Sequence, residues 1–340
     1  MRGFQMTGVG LGAVTTMPEP NPLPGELVLQ PVVSGVCSTD VHVFLEGALN
    51  PRVPLVLGHE SVARVMDARE GVWNAYGQPV PATGDLVVVE PLFPCRRCQE
   101  CAKGLLNLCR NSRHMGINRD GCFAEFFTAP AWRATVLPPD MDPMRAIFIE
   151  PLACALRFID LSGLRAGQTL LILGAGPAGL LTAGLGVSSG LNVLVSEPEP
   201  SRRRLAEAAG AQAADPANLF LELNQMSGGR GADSIVEVTG NPAAVAQALE
   251  LATPGTTVVV TGLSGNGHLQ VDLNQIVLRE LNVKGAVASR GHFARALELI
   301  QSGRARVNGL VSAVLPWMEA EAAIRMVQQD RSLGKVLLTH

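Results

Sequence analysis

The sequence lacks an excess of positive charge, and this absence limits the classes of partner to consider. Its 340 residues carry 27 lysines and arginines against 30 aspartates and glutamates, a formal net charge of −3. Nonspecific binding to nucleic acid requires a basic surface, so no nucleic-acid partner is expected. Charged residues are few, at 17%, whereas 47% of the residues are hydrophobic. A chain of this composition buries a large core and is not disordered.

The sequence also shows no pattern typical of a secretory signal or of a membrane span. Arg2 is the only early positive charge, and glycine and proline interrupt the apolar stretch before Glu26. The longest uncharged stretch, residues 166–196, is long enough to span a bilayer. However, its glycines and Pro177 divide it into a short β-rich run, a glycine turn and a small-residue helix. We therefore expect a cytoplasmic protein with no membrane partner.

No internal repeat is visible, and a length of 340 residues predicts two domains. Residues 1 to about 150 contain short β segments separated by proline and glycine clusters. From Thr169 onward strands alternate with helices, which is typical of a parallel, doubly wound sheet. After Gly291 a helix, a short strand and a last helix follow, and residues 335–339 are a strand that could rejoin the first domain. The predicted fold class is α/β.

A glycine-rich turn follows the first strand of the second domain. The strand Thr169–Leu173 is followed at once by Gly174-Ala175-Gly176-Pro177-Ala178-Gly179 and then by a helical run. In this context the first glycine permits the tight turn, the second lets the backbone approach a pyrophosphate, and the third lets the helix pack on the strand. The phosphates would lie at a helix N-terminus, where free N–H groups favour anions.

An acidic residue ends the next predicted strand. Glu197 comes 23 residues after Gly174, and its carboxylate is suited to binding two ribose hydroxyls. It would repel a 2′-phosphate, which predicts NAD rather than NADP. Arg202, Arg203 and Arg204 weaken this preference, because an arginine could hold that phosphate. The alternative is a glycine turn in an ordinary α/β domain with a solvated Glu197.

Four of the seven cysteines are crowded into fifteen residues: Cys95, Cys98, Cys101 and Cys109. In a chain without a signal peptide, such crowding favours metal binding over disulfides. The spacing C-x2-C-x2-C-x7-C suits a closed tetrahedral zinc site. An iron–sulfur cluster is the alternative, but no further ligand-rich run follows. Because a shell of four thiolates has no open position, the predicted role of the zinc is structural.

Three other segments place metal-type residues beside turn residues. They are residues 35–42, with Cys37, Thr39 and His42; residues 58–60, with His59 and Glu60; and residues 150–153, with Glu150. Taken alone each is uninformative, since a lone cysteine is usually a small buried hydrophobe and a lone histidine usually a hydrogen-bonded group.

Taken in order with the four-cysteine loop and the glycine-rich turn, these motifs resemble the zinc-dependent medium-chain dehydrogenases, over nearly the whole chain. The sequence Glu150-Pro151-Leu152 is similar to the branch of sorbitol, threonine and sugar dehydrogenases. The resemblance implies a GroES-like β domain of residues 1–150 and 291–340 that holds both zinc sites. It also implies a Rossmann NAD-binding domain of residues 151–290, and a cleft between the domains that holds both substrates.

The resemblance further implies roles for the metal-type residues. Cys37, His59 and Glu60 would ligate a catalytic zinc, with Glu150 as a fourth ligand or in contact with the zinc-bound water. One position would stay open for the substrate oxygen.

A proton relay and a set of cofactor contacts are implied as well. Thr39 and His42 would carry the proton away from the alcohol, since residues i and i+3 share a face of a helical turn. The cofactor-binding residues would be Gly174, Gly176, Pro177, Ala178, Gly179, Glu197, Arg202, Thr239, Thr261, Gly262, Leu263, Ala286 and Val287.

The predicted activity is hydride transfer between NAD and a secondary alcohol of a polyol, sugar or cyclitol, by a homodimer or homotetramer with two zinc ions per chain. Alternatives within the enzymes are a threonine, amino-alcohol or aminocyclitol dehydrogenase, or a ketone reductase. A zinc-stabilised binding protein is the non-enzymatic alternative, but such a relative would be expected to lose Cys37, His59 or Thr39. Departures from the family pattern leave the substrate open: Ser38, Ala63, Cys122 and Arg157.

Overall fold

The computed structural model describes residues 1–68, 80–264 and 267–340, and these contain eighteen strands and eleven helices. The strands are β1 (Arg2–Gly8), β2 (Leu11–Thr16), β3 (Glu26–Val36), β4 (Leu55–Val56), β5 (Glu60–Ala68), β6 (Leu86–Val89), β7 (Leu92–Phe93), β8 (Arg113–His114), β9 (Phe127–Pro130), β10 (Ala134–Val136), β11 (Thr169–Leu173), β12 (Asn192–Ser196), β13 (Gln212–Ala214), β14 (Ser234–Glu237), β15 (Thr257–Val260), β16 (Asn282–Gly285), β17 (Val311–Pro316) and β18 (Lys335–Thr339). The helices are α1 (Ser38–Glu46), α2 (Gln99–Ala102), α3 (Pro143–Ala146), α4 (Ile149–Ser162), α5 (Pro177–Ser188), α6 (Pro200–Ala208), α7 (Leu219–Ser227), α8 (Pro242–Leu251), α9 (Leu273–Leu278), α10 (Phe293–Gln301) and α11 (Ala320–Gln329).

The chain divides into two compact units, and unit 1 consists of Met1–Glu150, Phe293–Gln301 and Val311–His340. Its main sheet has seven strands in the order β10-β6-β5-β3-β18-β17, with β9 also paired with β3. Strands β2, β1 and β4 form a second sheet, and β7 pairs with β8. Strand β18 lies between β3 and β17, so the end of the chain belongs to unit 1.

One apolar core fills unit 1. It combines inward-facing residues of β1, β3, β5 and β6 with side chains of α1 and α11, among them Leu27, Val65, Phe44 and Ile324. All four are completely buried. Each such side chain contributes roughly 1.5–3 kcal/mol relative to an exposed one, so the core holds the strand ends that carry the metal-type residues.

Unit 2 consists of Pro151–His292 and Ser302–Leu310. Its sheet has six parallel strands in the order β13-β12-β11-β14-β15-β16. The order reverses between β11 and β14, which is the position where doubly wound sheets bind dinucleotides. Every residue of β11 is buried, as expected for a strand covered on both faces. The predicted fold class is confirmed.

Two helices of unit 2 were not predicted, α4 and α7. Helix α4 is buried over most of its length, and its first turn was interpreted only as a metal-type segment. It also carries Pro151, but a proline in the first turn removes no intrahelical hydrogen bond. Among the described residues, no helix combines the length and apolar character needed to cross a membrane.

Candidate metal centres and dinucleotide-binding turn

The four-cysteine loop brings all its sulfurs together. The Sγ atoms of Cys95, Cys98, Cys101 and Cys109 lie within 4.8 Å of one another, with 3.5 Å between Cys98 and Cys101 and 3.8 Å between Cys98 and Cys109. Four Zn–S bonds of about 2.3 Å in a tetrahedron place the sulfurs about 3.8 Å apart. The group therefore fits a closed zinc site.

Backbone N–H groups around these sulfurs stabilise the ionised thiolate form. The Cys95 N–H donates to the Cys109 sulfur at 3.2 Å. The backbone N–H of Arg97 lowers the pKa of Cys95 to about 6, whereas burial raises the pKa of Cys101 to about 12. A cation among the four sulfurs offsets the burial and favours the ionised thiolates.

The second metal-type group joins residues from two strand ends. Cys37 follows β3 and caps α1, while His59 and Glu60 stand at the start of β5. Gly35 pairs with Glu60 in the β3–β5 register, which brings the two ends together. One donor atom of each of Cys37, His59 and Glu60 lies within 4.8 Å of the others. A set of three protein donors is typical of a catalytic zinc site, which keeps one position open.

Asp40 orients two of these ligands, although the sequence analysis did not single it out. Its Oδ1 lies 3.1 Å from His59 Nδ1, and its Oδ2 accepts the Cys37 N–H at 2.9 Å. Burial lowers the pKa of His59, but the charge and hydrogen bond of Asp40 outweigh it and raise the pKa above its usual value. A carboxylate on Nδ1 leaves Nε2 as the nitrogen for a metal. The available signal was an acidic residue three positions after Cys37, at the start of a helix.

Lys335 is the second neighbour that the sequence analysis missed. It is 2% exposed, and its Nζ forms an ion pair with Glu60 Oε2. A β-carbon at Gly35 would lie 2.0 Å from that oxygen, so only glycine leaves room for the pair. Burial lowers the pKa of Lys335, but the charges of Glu60, Cys37 and Glu150 raise it above its usual value. Lys335 is therefore a fixed cation in an anionic group.

Glu150 is buried at the start of α4, and its charge acts on Lys335. Its carboxylate does not belong to the group of donors within 4.8 Å of one another. The structure thus places Glu150 near the three ligands without bringing it among them.

His114 adds an imidazole beside this group. Its ring centroid lies 5.9 Å from that of His59, with the two planes at 64°. Burial, followed by the charge of His59, lowers the pKa of His114 to about 3, so the ring is neutral at pH 7. The sequence carries no signal for this residue, since His114 follows the four-cysteine loop without any motif of its own.

The two residues of the predicted relay lie on one helix. Thr39 and His42 both belong to α1, so the helical turn that their spacing requires is present. The Thr39 hydroxyl is 3.7 Å from the Cys37 sulfur. His42 Nδ1 lies 2.9 Å from Glu46 Oε2 and the side chain is 24% exposed, which leaves Nε2 for a proton donor.

In unit 2, the glycine-rich turn joins β11 to α5. Gly174 has a φ of 105°, and a side chain at this position would also meet Thr239, so glycine is required. Helix α5 begins after Gly176 with Pro177 in its first turn. Among the predicted cofactor-binding residues, Ala286 N donates to Val260 O and Thr261 N donates to Glu237 O. These contacts extend β15 and β16 beyond their ends.

Glu197 is buried, and the structure shows what its carboxylate contacts. Oε2 accepts the N–H of Ala175 at 2.8 Å, and Oε1 accepts that of Glu199 at 3.0 Å. Each oxygen retains a second lone pair for a ribose hydroxyl. Arg203 Nη1 donates to the carbonyls of Glu197 and Pro198, so this arginine is committed to local contacts.

A second buried carboxylate, Glu237, holds the turn after β14. Its Oε1 accepts the N–H groups of Thr239 and Gly240 and the Thr239 hydroxyl. A β-carbon at Gly262 would lie 2.0 Å from Gly240 N, so the two turns are in direct contact. Glu237 thereby positions Thr239 and Gly262, but periodicity indicated only a buried strand there.

Comparisons with known proteins agree with this geometry. The model of the alcohol dehydrogenase GroES-like domain matches residues 23–139, and that of the zinc-binding dehydrogenases matches residues 177–302. The 2-dehydro-3-deoxy-L-galactonate 5-dehydrogenase of Pseudoalteromonas atlantica is 34% identical over 89% of this chain and 88% of its own. The L-threonine 3-dehydrogenase of Pyrococcus furiosus is 31% identical over 86% of this chain and 85% of its own. A zinc-binding dehydrogenase of Sinorhizobium meliloti bound to NADP superimposes with a TM-score of 0.90 at 33% identity, covering 100% of this chain and 99% of that one.

The fold and the two thiol-containing groups define an oxidoreductase. The chain belongs to the zinc-dependent medium-chain dehydrogenases. The predicted family and the predicted dehydrogenase activity are thus confirmed.

Proposed function

We propose that this protein transfers hydride between NAD and a secondary alcohol of a polyol or sugar. The observation that carries the proposal is the three-donor group of Cys37, His59 and Glu60, which fits a zinc with an open position. The substrate class is supported by two relatives, the 2-dehydro-3-deoxy-L-galactonate 5-dehydrogenase at 34% identity and a D-xylulose reductase A of Aspergillus oryzae at 29%.

In this proposal unit 1 is the catalytic domain with both zinc sites, and unit 2 binds NAD. Cys37, His59 and Glu60 hold the catalytic zinc, and Glu150 is the nearby carboxylate that completes the set or contacts water. When bound, such a zinc acts as a Lewis acid on an alcohol or carbonyl oxygen. The Cys95–Cys109 loop holds the second zinc, which stabilises its fold.

The chain's own residues orient the metal-ligating side chains and transfer the proton. Asp40 holds the His59 ring and the turn at Cys37, while Lys335 holds the Glu60 carboxylate. The Thr39 hydroxyl accepts the proton that leaves the substrate hydroxyl and passes its own proton toward His42 Nε2. Since Nδ1 of His42 bonds with Glu46, the ring orientation is set for this transfer.

A substrate panel tests the proposal. Zinc-replete protein is assayed at 340 nm with NAD or NADP and with pentitols, hexitols, butane-2,3-diol, sugar acids and L-threonine, and its zinc is measured by elemental analysis. We expect oxidation of a polyol or sugar and two zinc ions per chain. Activity with L-threonine alone would establish the amino-alcohol alternative, which the Pyrococcus relative favours. Failure with all these alcohols, and with their ketones and NADH, would contradict the proposal.

The proposed proton relay predicts that turnover depends strongly on the Thr39 hydroxyl. Thr39→Val keeps the shape of the side chain but removes the hydroxyl, so turnover should fall by about a hundredfold, within the range of general acid–base steps. His42→Ala should cost less, because water can replace a partly exposed base. Ser38→Ala, which changes an exposed neighbour on the same helix, is the control. Near-normal turnover of Thr39→Val with zinc and NAD bound would exclude this path.

The cofactor preference should favour NAD over NADP by at least about tenfold in kcat/KM, which corresponds to about 1.4 kcal/mol. The reason is repulsion between the Glu197 carboxylate and a 2′-phosphate, with Arg203 already engaged by local carbonyls. Glu197→Gln should reduce the preference, whereas Glu199→Gln, at the neighbouring helix cap, should leave it in place. Equal kcat/KM values for both cofactors in the unmodified protein would show that this interpretation of Glu197 is wrong.

We propose that the edge of the unit 2 sheet pairs with a second copy of the chain, giving a homodimer or a homotetramer. Strand β16 is the edge strand, and Val283 on it is exposed. On α9, which precedes it, Leu273, Val277 and Leu278 are 69–81% exposed. An apolar edge of this kind requires cover. Light scattering at micromolar concentration should give the mass of at least a dimer. Val283→Lys should weaken the association and lower the average mass. The control is Phe220→Lys, which changes an exposed residue of α7 and should leave the mass unchanged. A monomeric unmodified protein would contradict the assembly.

The proposed location is a reducing compartment, consistent with the cytoplasm. None of the seven cysteines forms a disulfide within the described part of the chain, and four of them form the closed group. Because disulfides rarely persist in the cytosol and thiolate metal sites need reduced cysteines, this usage is typical of a reducing environment.

A further inference from the structure

The imidazole of His114 stands beside the three-donor group, but the metal set does not use it. His114 lies on β8, opposite Leu92 in the pairing with β7. Its ring is a near-perpendicular neighbour of the His59 ring at 5.9 Å. The donors that lie within 4.8 Å of one another are Cys37, His59 and Glu60, so His114 is adjacent to this group and outside it.

The backbone that follows His114 is anchored by hydrogen bonds. Met115 N donates to Pro91 O at 3.0 Å, which anchors the chain directly after His114. Further on, Cys122 N donates to Gly58 O at 3.1 Å and Phe123 N to Leu57 O at 3.0 Å. The loop is therefore bonded to the segment that leads into His59, which holds the backbones of the two histidines close together.

The polar atoms of the His114 ring have no hydrogen-bond partner within residues 1–68, 80–264 and 267–340. The comparison with His340 is informative, because that residue is exposed and its ring still bonds Ser34 through Nε2 at 3.0 Å. A neutral imidazole offers one donor and one acceptor. His114 is half-buried beside the three-donor group, so its ring nitrogens are available to a polar ligand.

We propose that His114 is a specificity-determining residue that binds a second hydroxyl of the substrate, next to the hydroxyl that is oxidised. The inference rests on the proposed function and narrows it to alcohols with a neighbouring hydroxyl. A hydroxyl group is both donor and acceptor, so it matches either tautomer of the ring. A monohydric alcohol leaves the imidazole without a partner, and sites built to bond a hydroxyl discriminate strongly against analogues that lack it.

The test compares two substrates that differ by one hydroxyl, 2R,3R-butane-2,3-diol and R-butan-2-ol, on zinc-replete enzyme with NAD. His114→Phe keeps a planar ring against His59 but removes both nitrogens. We expect kcat/KM for the diol to fall by about tenfold to a hundredfold, as for loss of one buried hydrogen bond. The value for butan-2-ol should stay within about threefold. His114→Gln, which keeps a donor and an acceptor, should retain most of the preference for the diol.

The control is His340→Phe, which should leave both values unchanged. Zinc content and the absorption spectrum of the cobalt-substituted enzyme should be the same in His114→Phe and the unmodified protein. Equal loss with both alcohols, or loss of bound metal, would overturn the proposal in favour of a role through His59. An unchanged diol preference in both His114 variants would also overturn it. Because the unmodified protein is assayed first, inactivity with all alcohols contradicts the proposed function itself and is distinguishable from these outcomes.

Discussion

Cys37→Ala is expected to lower turnover at least about a thousandfold, because a Lewis-acid metal contributes several kcal/mol to the reaction and this variant removes one of its three donors. The fold should persist. Cys37 is half-buried at the end of β3, and its backbone N–H bonds Asp40 whatever the side chain is. Elemental analysis should show zinc falling from two ions per chain to one, and circular dichroism should be unchanged.

The matched control for this variant is Cys154→Ala, which removes a thiol that belongs to neither metal-type group. It should keep two zinc ions and near-normal turnover. A Cys37→Ala protein that retains turnover, or that loses the zinc of the four-cysteine loop instead, would contradict the assignment of the two groups.

Lys335→Met is expected to lower the free energy of unfolding of the zinc-free protein by about 3–5 kcal/mol, the range for breaking a fully buried ion pair. The variant leaves Glu60 buried with an uncompensated charge, because both side chains are 2% exposed. Chemical denaturation of the metal-free protein measures the loss. Bound zinc should reduce it, since the metal supplies the Glu60 carboxylate with another cation.

Two further variants show whether burial is the cause. Arg325→Met breaks a half-exposed ion pair with Glu321 on α11 and should cost only about 0.3–0.5 kcal/mol. Combining Lys335→Met with Glu60→Leu should recover part of the loss, because apolar replacement of a whole buried pair is often neutral. A loss below about 1 kcal/mol for Lys335→Met alone would show that Glu60 does not depend on Lys335 for charge compensation.

Much of unit 2 could be predicted from the sequence. The strand Thr169–Leu173 has the predicted bounds, because a strand buried on both faces is an uninterrupted apolar run between turn residues. The turn at Gly174 was predictable for a local reason, since a positive φ and a close neighbour both require glycine there. Helix α4 was missed because its first turn, with Glu150 and Pro151, was interpreted only as a metal-type segment.

The four-cysteine group could also be predicted from a local pattern. Its ligands lie within fifteen residues, so spacing alone indicated that the sulfurs could converge. For Cys37, His59 and Glu60 the segments were recognised through resemblance to a family. Their convergence depends on the pairing of β3 with β5, which is a property of the sheet and not of either segment.

The neighbours of the second metal group were decided only by the tertiary structure. Lys335 follows Glu60 by 275 residues, and it reaches that carboxylate because β18 is inserted next to β3. His114 reaches His59 because a loop is hydrogen-bonded to residues 57 and 58. By itself the sequence determined the ligand types, the glycine turn and the alternation of strands and helices, since these follow from local chemistry and periodicity. Which buried charge faces which ligand depends on long-range strand order and register, and no local pattern encodes these.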